Sequence, residues 1–279
     1  MSTRETRYSA GVTRLIERPS PNFDARKSAI DLVVLHYTGM QNAEVALSRL
    51  TDAAPVAGRY PGPWQDSAID AAAPLGRVSA HYVVDEEGAV YRLVDEEQRA
   101  WHAGASSWEG RVDTNDRSIG IEIVNGGHDF GLPDFPDDQV NALIGLLHDV
   151  TARRELSPAR IVGHSDVAPG RKLDPGEVFP WSTLADHGVA LAPKCPIGRG
   201  GAALFGLGDQ GEAVGTLQRE LAAIGYCIDM TEAFDQLTHH CVRAFQARFR
   251  QAEVSGVVDE ETRIIVADIA AQTRALRPS

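Results

Sequence analysis

Short, unbroken apolar runs alternate with stretches of helical period along the first two thirds of this chain. Asp31-Leu-Val-Val-Leu-His36-Tyr37 has the pattern of a strand buried on both faces, and it ends in a histidine. Asn42 is placed to cap a helix with Val45, Leu47 and Leu50 as its apolar positions. His81-Tyr-Val-Val and Ala89-Val-Tyr-Arg-Leu-Val flank Asp85-Glu-Glu-Gly88, which predicts a hairpin closed by a glycine turn. Ile119-Gly-Ile-Glu122-Ile-Val is another apolar strand, with one acid inside it. Asp137 and Asp138 are expected to cap a helix in which Val140, Leu143, Ile144, Leu147 and Val150 recur at spacings of three and four. Arg160-Ile-Val-Gly163 then reads as a short strand running into His164.

Strands alternating with helices predict an α/β domain: a mixed central sheet flanked by helices, with function in the loops at the carboxyl ends of the strands. His36 and His164 both sit at such ends. Residues 1–28, polar and carrying Pro19 and Pro21, read as an extended arm. Residues 54–77, with Pro55, Pro61, Pro63 and Pro74, read as a long loop. Glycines, Pro193, Pro196 and few large apolar groups mark a boundary between 187 and 208. Beyond it Val214, Leu217, Leu221 and Ile224 form one helical stripe, Val242, Phe245 and Phe249 form another, and 260–275 fits a third helix. The expected organisation is an α/β domain with its arm over 1–190, a linker over 191–208 and a small three-helix domain over 209–279.

Composition narrows the field of partners. With a formal charge of −12 over 279 residues, the chain lacks the basic surface that nucleic acid or an anionic membrane calls for. Cys195, Cys227 and Cys241 are an odd number without close spacing, a poor disulfide framework that fits a reducing compartment. Charged residues interrupt the first 30 positions, and no later run is long enough to span a bilayer. The location expected from this is cytoplasmic; a removed leader would make the protein periplasmic or an outer-membrane lipoprotein instead.

The densest chemistry lies in His164-Ser-Asp-Val-Ala-Pro-Gly-Arg-Lys-Leu-Asp-Pro-Gly176, which puts an imidazole, an ammonium and two carboxylates on one stiffened loop. His164 and Asp174 are candidate ligands of a zinc ion, which in catalytic sites takes three protein ligands and keeps one position for water. His36 is the candidate third. An ion so held brings the pKa of its water to roughly 7, which suits hydrolysis of an unreactive amide. Glu122 is then the candidate to take and pass on the proton. Lys172, two residues before Asp174, is the candidate to stabilise the oxyanion. His102, beside Trp101, is placed to line a cleft.

At this point the residues resemble a known family, the zinc-dependent N-acetylmuramoyl-L-alanine amidases of type 2, which share a fold with peptidoglycan recognition proteins. The resemblance covers roughly residues 28–190. It rests on Leu35-His36-Tyr37-Thr38, Val78-Ser-Ala-His81-Tyr82, Ala100-Trp-His-Ala-Gly104, Asn115-Asp-Arg-Ser-Ile-Gly-Ile-Glu122 and the loop from His164. It implies zinc on His36, His164 and Asp174, with Glu122 and Lys172 as catalytic partners, and cleavage of the amide between N-acetylmuramic acid and L-alanine. Arg77 and Arg111 fall where similar enzymes direct arginines toward substrate, and either can hold a carboxylate bidentately. Tyr37 and His102 complete the candidate substrate-binding set.

The end of the chain resembles the peptidoglycan-binding-like helical domain, through Val214-Gly-Thr-Leu-Gln218-Arg-Glu-Leu221, Gly225-Tyr226, Val242-Arg-Ala-Phe-Gln246 and Gly256-Val-Val-Asp259. The two-domain layout is similar to the AmiD-like branch, which acts on muropeptides and intact wall. The missing leader is similar to the recycling branch, which acts on 1,6-anhydro-muropeptides. The partners implied are peptidoglycan fragments, with intact wall reached through the helical domain. A non-catalytic muropeptide-binding protein is the alternative of a different class.

Overall fold

The computed structural model describes residues 15–60, 73–195, 198 and 200–277. The start of the predicted arm, and residues 61–72 of the predicted long loop, lie outside the described residues. In chain order the elements begin with β1 (Leu15–Glu17), β2 (Phe23–Ala25), β3 (Leu32–Tyr37), α1 (Ala43–Thr51), β4 (Tyr82–Val84) and β5 (Val90–Arg92). Then come β6 (Gln98–Ala100), β7 (Ser107–Trp108), β8 (Arg111–Val112), β9 (Ser118–Ile123), α2 (Asp137–Arg154), β10 (Ile161–Gly163) and α3 (His164–Val167). The remainder is α4 (Trp181–Asp186), β11 (Ala203–Phe205), α5 (Glu212–Ile224), α6 (Gln236–Phe249), β12 (Val258–Asp259) and α7 (Glu260–Ala275).

These elements gather into two compact units, one formed by residues up to 104 with 115–156, the other by 105–114 with 157–279. Within the first unit the sheet runs β1-β5-β4-β9-β3. Its central strands earn their place by composition: β3 is buried from Leu32 to His36 and β9 throughout, as the unbroken apolar runs predict. β3 and β9 pair in parallel, as do β4 with β9 and β1 with β5, while β4 and β5 form the antiparallel hairpin across Gly88. The sheet is therefore mixed, mostly parallel.

Helix α1 starts at the predicted cap, where the Asn42 side chain accepts from the Val45 N–H. Its Ala46, Leu47 and Leu50 pack against Val83, Leu93, Ala100 and Val124. Helix α2 buries Val140, Leu143, Ile144, Leu147 and Val150, all five positions of the predicted stripe. Its start differs from expectation. Pro136 is the N-cap, without a side-chain bond, and Asp137 and Asp138 occupy the first turn. There their charges favour the helix through its dipole rather than by closing a cap. Near the end of α2, Arg153 and Arg154 both reach the buried Glu96 carboxylate. Burial alone would raise the Glu96 pKa, but these bonds and one from Tyr82 outweigh it and bring it down to about 2.

In the second unit all three predicted helices form. Val214, Leu217, Leu221 and Ile224 are buried on α5, Val242, Phe245 and Phe249 on α6, and α7 packs on α5. Asp235 and Asp259 cap α6 and α7 through the Thr238 and Thr262 amides. Segment 105–114 folds as the β7–β8 ribbon, and the buried Trp108 ring meets Tyr226 edge to face with centroids 5.2 Å apart. Gly225 is required there: a Cβ at that position would overlap the Trp108 indole. No helix among the described residues is long and apolar enough to cross a membrane.

Candidate metal centre and active site

The parallel register of β3 and β9 sets His36 directly beside Glu122 near the carboxyl ends of the two strands. Side chains paired in this way project from the same face of the sheet. Both are buried, His36 at 1% and Glu122 at 9% exposure. The His36 Nε2 lies 3.0 Å from Nδ1 of His102, whose Nε2 lies 3.2 Å from the Ser118 hydroxyl. His102 is held from both sides, since its own N–H donates to the Asn115 side chain and its ring rests on the backbone of Gly120. A Cβ at residue 120 would overlap that ring, which gives the glycine of the Ser118–Ile123 strand its reason.

His81 completes this group of imidazoles from the preceding loop. Its Nδ1 accepts from the Gly120 N–H at 2.9 Å and its Nε2 lies 3.1 Å from the Gln98 carbonyl. Burial, with the Arg26 guanidinium adding to it, brings the His81 pKa down to about 4, so this ring is neutral near pH 7.

His164 opens α3, immediately after Gly163 of β10. The loop that follows turns back on itself: Arg171 and Lys172 both donate their N–H to the Ala168 carbonyl, and the Ser165 N–H donates to the Asp174 carbonyl. The turn returns the Asp174 carboxylate to His164, with Nδ1 and Oδ2 2.9 Å apart. The other ring nitrogen faces the Arg171 guanidinium at 3.3 Å.

His36 belongs to the first unit, and His164 and Asp174 to the second. All three residues are buried, and the set can hold a metal ion. Two imidazoles and one carboxylate are the donor types of the three-ligand pattern of catalytic zinc.

The remaining sequence-predicted residues lie on separate elements. Lys172 is half-buried on the returning loop, one residue from Arg171. Arg77 is exposed and stacks over the Trp101 ring, 5.0 Å from its centroid. Arg111 is exposed on β8. Tyr37 is half-buried, with its hydroxyl 3.0 Å from the His128 ring. His102 is buried against His36. Two residues escaped sequence reasoning: Arg171, whose motif neighbour Lys172 drew the attention, and His102 as a partner of His36. The signal for the second was present in Gly120, whose missing side chain makes room for a ring.

Residues 26–177 match the family N-acetylmuramoyl-L-alanine amidase, and residues 210–265 match a peptidoglycan binding domain. The N-acetylmuramoyl-L-alanine amidase AmiD of Escherichia coli (strain K12) is 32% identical over 277 residues, spanning 92% of this chain and 90% of that protein. The 1,6-anhydro-N-acetylmuramyl-L-alanine amidase AmpD of Haemophilus influenzae is 32% identical over 172 residues, 58% of this chain and 85% of its own length. A solved structure of E. coli AmiD, in complex with the substrate anhydro-N-acetylmuramic acid-L-Ala-D-gamma-Glu-L-Lys, superposes with a TM-score of 0.69 at 30% identity. It covers 89% of this chain and 92% of that one. With a matched family region over half its length and a relative aligned along nearly all of it, this chain belongs to the N-acetylmuramoyl-L-alanine amidases and is an amide hydrolase acting on muropeptides.

Proposed function

We propose that the chain is a zinc-dependent amidase in which His36, His164 and Asp174 hold the ion. The observation that carries this reading is the buried His-His-Asp set inside the matched family region. When bound, zinc supplies a Lewis acid for the scissile carbonyl and activates water near neutral pH. His36 takes part through Nδ1, because Nε2 faces His102. That assigns Nε2–H of His36 as donor to His102, and Nε2–H of His102 as donor to Ser118, a relay that fixes the orientation of the ligand ring.

Glu122, beside His36 in the strand register, takes the proton of the attacking water and delivers it to the leaving amine. Lys172 stabilises charge on the carbonyl oxygen. Arg77 and Arg111, both exposed cations, hold carboxylates of the stem peptide, and Tyr37 lines the approach. The bond cut is the amide between N-acetylmuramic acid and L-alanine. The favoured substrates are 1,6-anhydro-muropeptides, as in the AmiD complex and in AmpD. A second reading, action on intact peptidoglycan, draws on the match at 210–265. With it goes a division of labour between residues 1–190 as amidase domain, 191–208 as linker and 209–279 as wall-binding domain.

The test is to incubate purified protein with anhydro-muropeptide and with intact sacculi, each with and without a chelator. Release of stem peptide that the chelator stops is the expected result. No release from either substrate would overturn the proposal, and release from sacculi at a comparable rate would establish the second reading.

A further inference from the structure

We infer that Tyr226 and Arg248, on the helical part of the second unit, are positioning residues for His164, acting through the buried carboxylate of Asp166. This rests on the reading of His164 as a metal ligand.

Asp166 lies two residues beyond His164 and is 1% exposed. Its Oδ2 accepts the Gly163 N–H at 2.8 Å, closing the turn that begins at His164. The same oxygen accepts from Arg248 Nη1 at 2.8 Å, and Oδ1 accepts the Tyr226 hydroxyl at 2.5 Å. Arg248 is itself fixed: its Nη2 donates to the Ile161 carbonyl at 2.6 Å, and its guanidinium lies 4.6 Å from the Trp181 ring centroid. The backbone on both sides of His164 is thus pinned by one arginine and one tyrosine.

The energetics make this more than packing. A carboxylate without water is tolerated only when its charge is matched and its lone pairs are used. Asp166 meets both conditions through Arg248 and Tyr226. Without Arg248 the buried acid loses its opposite charge and one of its donors, which loosens its hold on the Gly163 amide. Burial and the neighbouring Asp166 push the Tyr226 hydroxyl well above its ordinary pKa, so it stays a donor at any working pH.

The experiment uses the full chain with Arg248→Met and Tyr226→Phe, and reads two quantities. One is hydrogen exchange at the Gly163 and Ser165 amides in chelator-treated protein. The other is zinc affinity of the folded protein, by competition with a chromophoric chelator. Arg248→Met is expected to speed the exchange and to weaken zinc binding, each by about tenfold or more, the scale of lost outer-shell partners, and Tyr226→Phe to do both by a few-fold. Gln251→Ala removes a bond to the Phe179 carbonyl without touching Asp166, and is expected to leave both at the wild-type level. Wild-type exchange and affinity in folded Arg248→Met and Tyr226→Phe would overturn the inference. Should Arg248→Met not fold, the isosteric Tyr226→Phe decides alone. Failure of the wild-type protein to bind zinc would instead sink the metal reading, so the two failures are distinguishable.

Discussion

His36 and His164 are held in opposite ways. His36 leans on a second imidazole, which leans on a serine hydroxyl and packs against Gly120. His164 faces a carboxylate on one ring nitrogen and a guanidinium on the other, and its backbone is pinned by a further buried acid. One histidine is oriented by shape and tautomer, the other by charge. Damage to the two should therefore differ in kind: loss of fit around His36, and loss of charge balance around His164.

The largest expected break is Asp174→Ala, which removes a proposed ligand and the acid that faces His164. Zinc binding and turnover should disappear together; full zinc occupancy, measured by metal analysis of the purified variant, would take Asp174 out of the ligand set. Glu122→Ala comes next. It lies beside His36 without belonging to the ligand group, so the metal should stay while kcat falls by about 100-fold to 10,000-fold. Near-normal kcat would place the proton transfer on another residue.

His102→Ala sharpens the comparison on the His36 side. Zinc affinity should fall by about 10-fold to 100-fold through loss of ring orientation, with the fold intact by circular dichroism. An unchanged affinity would make His102 a packing residue only.

The smallest effect concerns pH. His81 has a pKa of about 4 in the folded protein against an ordinary 6.5, so the unfolded chain binds the extra proton. Stability from this group is complete above roughly pH 6.5 and is lost as pH falls toward 4, by about 3 kcal/mol. Glu96, held at about 2, withdraws its contribution only below its ordinary 4.5, so at pH 5 the loss comes from His81 and not from Glu96. Urea unfolding of chelator-treated protein at pH 7 and pH 5 should show a smaller loss in His81→Asn than in wild type. Equal losses would mean that the ring is protonated in the folded state.

Much of this arrangement is readable in the chain itself. The apolar runs locate β3 and β9, and the stripes locate α2, α5 and α6, because burial on one face leaves a period that sequence carries directly. The candidate ligands stand out because they end strands or sit in a loop dense in chemistry. What escapes is whatever depends on distant pairing. Strands such as β7 and β8 are two residues each, too short for any rhythm. His102 looks like a cleft residue until Gly120 is seen beneath it, and Asp166 looks like a surface acid until Tyr226 and Arg248 close on it. The cap at Asp137 failed for a local reason, since an acid suits either a cap or a first turn and only geometry separates them.

The Trp108 ring seated on Gly225 and Tyr226 also bears on how the protein is made. Roughly 120 residues separate the two sides of that contact along the chain. A ribosome adding about 5–20 residues per second needs roughly 6 to 24 seconds to supply the second side after the first. During that interval an indole meant for the interior is exposed on an unfinished chain.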